Sequence, residues 1–360
     1  MHMLEDRYSI ISFHTKTLLM KILKIVGITL LVLVAFYLIL CALGPKRVDA
    51  NASVTVNAPV RLLYNSVADL ETWENWSVWN IRDTAMKVTY GDTTVGKGGS
   101  YSWVDGQGET GNLKLIEAEQ DKHLKSRIQF GNWPGYSFGD WTFEGMGDSS
   151  KLTWKMSSDT DIPFMARGPL YVMDLNGAIE KDFSEGLDNL KAYVEKKATP
   201  PYMYDGYEIK LVDIPERKFA AHRETVSFDA MQPFFAKYFP SLMGAVIRSG
   251  VEPEGMPSAL YYNWDEENNV SDMAAAIGVK GDVPLGSGDE MITLPAAKGA
   301  MIDYYGDYEG LSKPHMAIDA FIFDFDHDMG APVIEEYITD PMAEPDTSKW
   351  LTRIYYRFND

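Results

Sequence analysis

Two carboxylates stand in the middle of a strand-like run, PVIEEYITDP at 332–341. Side chains alternate faces along a strand, so Glu335 and Glu336 point opposite ways. Glu335 shares its face with Val333 and Tyr337, and Glu336 shares the other with Ile334 and Ile338. Both faces are otherwise apolar or aromatic, so at least one of these acids is expected in a sheltered place. A carboxylate buried without a partner is costly and tends to take up a proton or find a cation. Such a group can receive a cationic guest beside aromatic rings, or serve as a general base on water. Glu336 is expected as a solvated or rim residue.

Little else in the chain has the spacing of a reactive centre. His222 falls in a strand pattern, His315 early in a helix and His327 in an acidic turn, with no ligand spacing among them. DFDHDMGAPVIE places Asp324, Asp326, Asp328 and Glu335 at positions 1, 3, 5 and 12 of a calcium-loop pattern. The glycine required at position 6 is Met329, so a solvated acidic helix end is the reading taken. The single Cys41 lies in an apolar run, which rules out an intrachain disulfide and a thiol enzyme. GKGG and GQGETG open no helix and read as hairpin turns. No metal and no cofactor are expected.

The elements that must carry these residues come in three parts. From 25 to 44, twenty residues pass without a charge, about the length that crosses a bilayer as a helix. Lys16, Lys21 and Lys24 precede the run, and Lys46 and Arg47 follow it. The reading is an uncleaved single-pass anchor over 22–44 with an extension at 1–21, and soluble domains on the extracytoplasmic side. Charge is uneven: residues 1–48 carry six Lys/Arg against two Asp/Glu, 49–198 fifteen against twenty-two, and 199–360 twelve against twenty-eight. So acidic a C-terminal half repels a phosphate backbone, and direct nucleic-acid binding is not expected.

Residues 48–198 read as a strand, small helices, an antiparallel meander and a closing amphipathic helix. The helix is marked by Leu175, Ile179, Phe183, Leu187, Leu190 and Val194 on one stripe. The segments VTVNAPVRLLYNSVADLETWENWSVW, GKGGSYSW, GDWTFEGMGDSSKLTWKM and GLDNLKAYVE resemble the START-like (SRPBCC, polyketide cyclase-like) superfamily. That resemblance implies a helix-grip fold with a cavity for a hydrophobic molecule, and no shared catalytic residues. Trp73, Trp76 and Trp79 are expected to pack the small helices onto the sheet.

A linker at 199–205 precedes a duplicated strand–helix–strand–strand domain at 206–358. LVDIPERKFAAHRETVSFDAM and MITLPAAKGAMIDYYGDYEGL align Pro215 with Pro295 and Lys218 with Lys298. Aligning GMPSALYYNWDE with GAPVIEEYITDP then sets Glu335 against Leu260 and Tyr337 against Tyr262. Leucine in one copy means that the fold alone does not require the charge. YYGDYEGL, GAPVIEEYITDP and WLTRIYYRF resemble the GyrI-like effector-binding domain, also found behind AraC-type regulators. The resemblance implies a buried glutamate, here Glu335, receiving an aromatic or cationic ligand. Its aromatic surroundings are expected from Tyr337, Tyr304, Tyr308, Tyr262, Trp350 and Tyr355, with Arg353 or Arg357 as the competing salt-bridge partner.

The whole chain therefore reads as α+β: a transmembrane helix, a helix-grip domain and a duplicated GyrI-like domain. The expected function is membrane-anchored binding of hydrophobic, aromatic or cationic small molecules. A hydrolase using Glu335 as general base is the alternative. A ligand-sensing regulator is a third, and would need a partner protein because no DNA-binding helix pair is visible.

Overall fold

The computed structural model describes residues 2–133 and 135–359, with side chains from Leu19 onward. They fall into two compact units, Met1–Val194 and Glu195–Asp360.

In the first unit, α1 runs unbroken from His2 to Leu43. The segment expected as a separate extension thus continues the helix of the span. Within it, the 25 residues Leu19–Leu43 are long and apolar enough to cross a membrane, about 37 Å at the α-helical rise. Then come β1 (Asp49–Val56), α2 (Val60–Ala68), a 3-10 turn (Leu70–Asn75) and α3 (Val78–Arg82). The meander is β2 (Lys87–Tyr90), β3 (Ser100–Val104), β4 (Thr110–Glu119), β5 (His123–Phe130), β6 (Ser137–Gly145) and β7 (Ser150–Ser158). Two helices close the unit, α4 (Phe164–Val172) and α5 (Leu175–Lys197). β1 returns to pair with β7, giving a seven-stranded antiparallel sheet in the order β1-β7-β6-β5-β4-β3-β2.

The stripe on α5 buries Phe183, Leu187, Leu190 and Val194 almost completely, roughly 1.5–3 kcal/mol for each side chain. What meets it is not an empty grip. Trp141 and Trp154 are paired across β6 and β7, and their rings stack at 3.9 Å. Trp154 stacks in turn on Phe183 at 3.7 Å, so three rings bridge helix and sheet where a cavity was expected. Trp73 and Trp76 pack on Trp141 at 5.6 and 6.2 Å, and their indole N–H groups donate to Val67 O and Ser66 O. They fasten the small helices to the sheet. Trp79 covers the Trp154–Phe183 stack and remains 40% exposed.

The second unit contains β8 (Tyr202–Tyr204), β9 (Tyr207–Ile214), β10 (Arg217–Ser227), α6 (Met231–Ser249), β11 (Ser258–Asp265), β12 (Val270–Val279) and β13 (Asp289–Leu294). It continues with β14 (Ala297–Tyr305), α7 (Ser312–Phe325), β15 (Met329–Tyr337) and β16 (Leu351–Phe358). These form one nine-stranded sheet in the order β13-β10-β12-β11-β15-β16-β14-β9-β8. Each copy is strand–helix–strand–strand: β10–α6–β11–β12 and β14–α7–β15–β16. The copies meet where β11 pairs with β15.

Register places one row of side chains across six strands: His222, Ala275, Ala259, Glu335, Ile354 and Ile302. Both helices pack on the face that carries this row. α6 buries Phe234, Leu242 and Val246 against Ala220, Ala275 and Ile277. α7 buries Ala317, Ile318 and Phe321 against Ala300, Ile302 and Ile354. The local twofold axis therefore passes between Ala259 and Glu335, which face each other directly. Ala259, and not Leu260, is the counterpart of Glu335; Leu260 matches Glu336, and Tyr261 matches Tyr337. The alignment by glycine slips because Gly255 and Gly330 are not counterparts: counted back from the Ala259–Glu335 pair, Gly330 falls opposite Glu254. A one-residue slip moves a side chain to the other face.

The acidic helix end differs from expectation too. Asp324 is 7% exposed and accepts a hydrogen bond from Tyr204 Oη at 2.9 Å.

Candidate ligand-binding site

Glu335 sits on the axis, between α6 and α7, and is 4% exposed. Its Oε2 accepts from Tyr337 Oη at 2.8 Å and, more loosely, from Tyr261 Oη at 3.4 Å. These tyrosines are twofold counterparts that converge on a single oxygen. The other oxygen, Oε1, lies 2.8 Å from His315 Nε2 on α7. No Lys or Arg nitrogen among the described residues lies within ion-pair distance of this carboxylate.

Behind His315 the contacts continue. His315 Nδ1 is 2.9 Å from Tyr356 Oη, and the Asp319 carboxyl, one turn along α7 from His315, acts on the same hydroxyl. Burial first, and then the charge on Glu335, push the Tyr337 and Tyr261 hydroxyls well above the ordinary phenol range, so both stay donors. Burial and the Asp319 charge do the same for Tyr356. Burial lifts the Asp319 carboxyl above its usual range, against the pull of His315 and the Tyr356 hydrogen bond.

This chain has a definite proton requirement. If Tyr356 donates to Asp319, its oxygen accepts from His315 Nδ1–H. Nε2 must then also carry a proton to donate to Glu335, which makes the ring an imidazolium. If Tyr356 turns its proton to Nδ1, a neutral imidazole suffices. One proton thus decides whether Glu335 already faces a cation.

Aromatic side chains wall the carboxylate. Phe235 and Phe239 of α6 lie 6.1 and 6.0 Å from the Tyr337 ring. Tyr308 packs edge-on to Tyr337 at 5.3 Å, and Trp350 lies 5.2 Å beyond it. Tyr308 is 39% exposed and connects the cluster to solvent. A buried carboxylate, neutral donors and several rings suit a flat guest, with the charge favouring a cation.

Comparison with known proteins bears on both units. Residues 47–195 match the family model described as polyketide cyclase / dehydrase and lipid transport. Residues 207–358 match the GyrI-like small molecule binding domain. The chain carries one domain of each kind, in that order. Among solved structures, the EcmrR C-terminal domain is 18% identical, over 43% of this chain and 98% of that one, with a TM-score of 0.39. The Zhui aromatase/cyclase from Streptomyces sp. R1128 is 15% identical, over 43% and 97%, with a TM-score of 0.35. CV1439 from Chromobacterium violaceum is 15% identical, over 41% and 96%, with a TM-score of 0.32. No curated protein matches the chain.

Within the GyrI-like domain, Glu335, Tyr337, Tyr308 and Trp350 come together as one group. Tyr304 lies on the same face but belongs to the α7 core, where its hydroxyl donates to Asp307 O at 3.0 Å. Tyr262 and Tyr355 lie on the opposite face of the sheet, packed with Leu260 and Ile334, because the pleat sends them the other way. Arg223 stacks on Tyr262 there at 3.5 Å. Neither arginine considered as a partner reaches Glu335: Arg353 bonds Asp303 at 2.7 Å, and Arg357 donates to Pro295 O at 2.6 Å. Glu336 is no rim residue either. It is 6% exposed, and its Oε1 takes hydrogen bonds from Arg217 at 2.9 Å and from Met256 N at 3.1 Å.

Sequence reasoning did not anticipate Tyr261, His315, Tyr356, Phe235 or Phe239. A signal for three of them existed. The alignment of Pro215 with Pro295, carried forward without gaps, sets Phe235 against His315 and Phe239 against Asp319. Polar residues matched to phenylalanines at a spacing of four mark a helix face doing different work in the two copies.

Proposed function

We propose that this protein is a membrane-anchored receptor for small molecules whose GyrI-like domain takes an aromatic cation over Glu335. Small-molecule binding is the character of both domain families; the ligand class and the site are our reading. One observation carries it: a carboxylate buried on the twofold axis has no Lys or Arg partner among the described residues, while its counterpart is Ala259. The arrangement supports a guest that completes the charge and stacks between Tyr337, Tyr308 and Phe235. A screen of aromatic cations against the full chain in lipid nanodiscs, repeated with Glu335→Gln, tests it. Hits insensitive to the substitution would refute the assignment.

The Asp319–Tyr356–His315–Glu335 chain also supports the second reading, a hydrolase in which Glu335 accepts a proton from water. Turnover of a screened ligand, lost in Glu335→Gln, would decide for it. For the first domain we propose an apolar guest that enters beside Trp79, since this ring is part-exposed and covers the aromatic stack. Trp79→Ala should then strengthen saturable binding of a fluorescent apolar probe; an unchanged titration would leave that domain a structural role. The anchor reading rests on α1, and the basic residues around the span support an extracytoplasmic position for both domains.

A further inference from the structure

The surface of α4 does not suit water. In FMARGPLYV, Arg167 is the single charged residue, and it is turned inward: its Nε donates to Ile162 O at 2.9 Å and its side chain is 15% exposed. The apolar residues are the exposed ones. Phe164, Met165, Tyr171 and Val172 are 44, 55, 47 and 69% accessible, and Met173 just beyond is 71%. A helix on the surface of a soluble domain has the opposite arrangement.

The neighbour of α4 explains this pattern. α4 is packed on the last turns of α1: Tyr37 Oη donates to Met165 O, and Cys41 is fully buried beneath Gly168. A methyl group at Gly168 would stand 2.9 Å from Cys41 Sγ, so glycine lets the two helices approach without displacing that thiol. At the helical rise, Tyr37 lies about 10 Å before the end of the apolar run. Any bilayer that takes in α1 as far as Leu43 must therefore also receive α4, which is held at the depth of Tyr37 to Leu43. Lys46 and Arg47 follow immediately, where headgroups would meet them.

We propose that α4 is a second membrane contact, an interfacial helix that lies in the boundary between acyl chains and headgroups on the C-terminal side of the span. This rests on the reading of α1 as an anchor. Its consequence is positional: with α1 and α4 both in the lipid, the helix-grip domain cannot swivel about a single tether. Amphipathic helices buried to this depth gain from their apolar face and from nearby basic residues.

The unmodified full chain, reconstituted into vesicles of phosphatidylcholine and phosphatidylglycerol, provides the first test. A photoactivatable diazirine on the lipid acyl chain should label peptides from both 19–43 and 164–173. Labelling of 19–43 alone would overturn the proposal and leave the anchor intact. Absence of labelling from both would overturn the anchor and the proposal together. A second readout uses nitroxide labels at Val32, Val172 and Lys122 on a Cys41→Ala background. Val172 should resemble Val32, with oxygen collisions several-fold favoured over those of a water-soluble nickel chelate. Lys122, in the turn at the distal end of the sheet, should show the reverse preference. A Val172 label that behaves like Lys122 would contradict the docking.

Discussion

The two copies that build the GyrI-like domain share a backbone plan and differ in what they put on the axis. The first copy reads Ala259-Leu260-Tyr261 where the second reads Glu335-Glu336-Tyr337. Tyrosine is common to both, and both tyrosines bond the same oxygen of Glu335. Behind them, Phe235, Phe239 and Ile277 in the first copy stand where the second has His315, Asp319 and Tyr356. One copy is therefore an apolar wall and the other a polar chain that ends in a carboxylate. The two acids differ as well. Glu336 is matched by Arg217 and belongs to the fold, whereas Glu335 has two tyrosine donors and a histidine. Burial alone does not mark a site; burial without a fixed counter-charge does.

The largest effect should come from the acid with the fixed partner. Glu336→Gln leaves the part-buried Arg217 without its counter-charge, and should cost roughly 3 kcal/mol of stability. Denaturant unfolding would measure this, and cation affinity below the transition should stay unchanged. A stable Glu336→Gln protein with lost affinity would reverse the roles assigned to the two acids.

Next comes the histidine that the first copy replaces by Phe235. His315→Phe removes the 2.8 Å contact to Glu335 Oε1 and leaves that oxygen open to a guest. Affinity for an aromatic cation should therefore rise several-fold, while that for its neutral isostere changes little. Equal cation affinities in wild type and variant would exclude His315 from the binding equilibrium.

The smallest effect separates the twofold-related tyrosines. Tyr337→Phe removes the 2.8 Å bond and Tyr261→Phe the 3.4 Å one, so the first should cost about 1 kcal/mol and the second less. Equal losses in thermal unfolding would mean that the pair serves the carboxylate symmetrically.

Several features of this site are legible in the sequence. The pleat alone puts Glu335 and Tyr337 on one face, and the spacing of Phe183, Leu187, Leu190 and Val194 gives α5 its buried stripe. The match of Glu335 to Leu260 fails because it takes Gly255 and Gly330 as counterparts, whereas the strand pairing sets Glu335 against Ala259, which no hydrophobic pattern reveals. Tyr355 and Tyr356 are adjacent in β16, Tyr355 half-buried and Tyr356 buried, and with the same residue type on both faces alternation cannot say which tyrosine faces the helices. His315 is invisible for another reason: its partner is on a strand, and only packing of α7 on the sheet brings the two together. In the first domain, a grip pattern implies a cavity, but Trp141 and Trp154 paired across β6 and β7 fill the space with stacked rings.

The most direct test of Glu335 as a ligand carboxylate compares one aromatic cation with its neutral isostere by calorimetry on the full chain. Glu335→Gln keeps the shape and removes the charge. It should weaken the cation by roughly 1.5–3 kcal/mol, the range of charge-assisted hydrogen bonds, and the neutral isostere much less. Fold stability should hold or rise, because Ala259 fills the matching place in the other copy. Marked destabilisation with unchanged cation affinity would instead show a structural carboxylate and contradict the account.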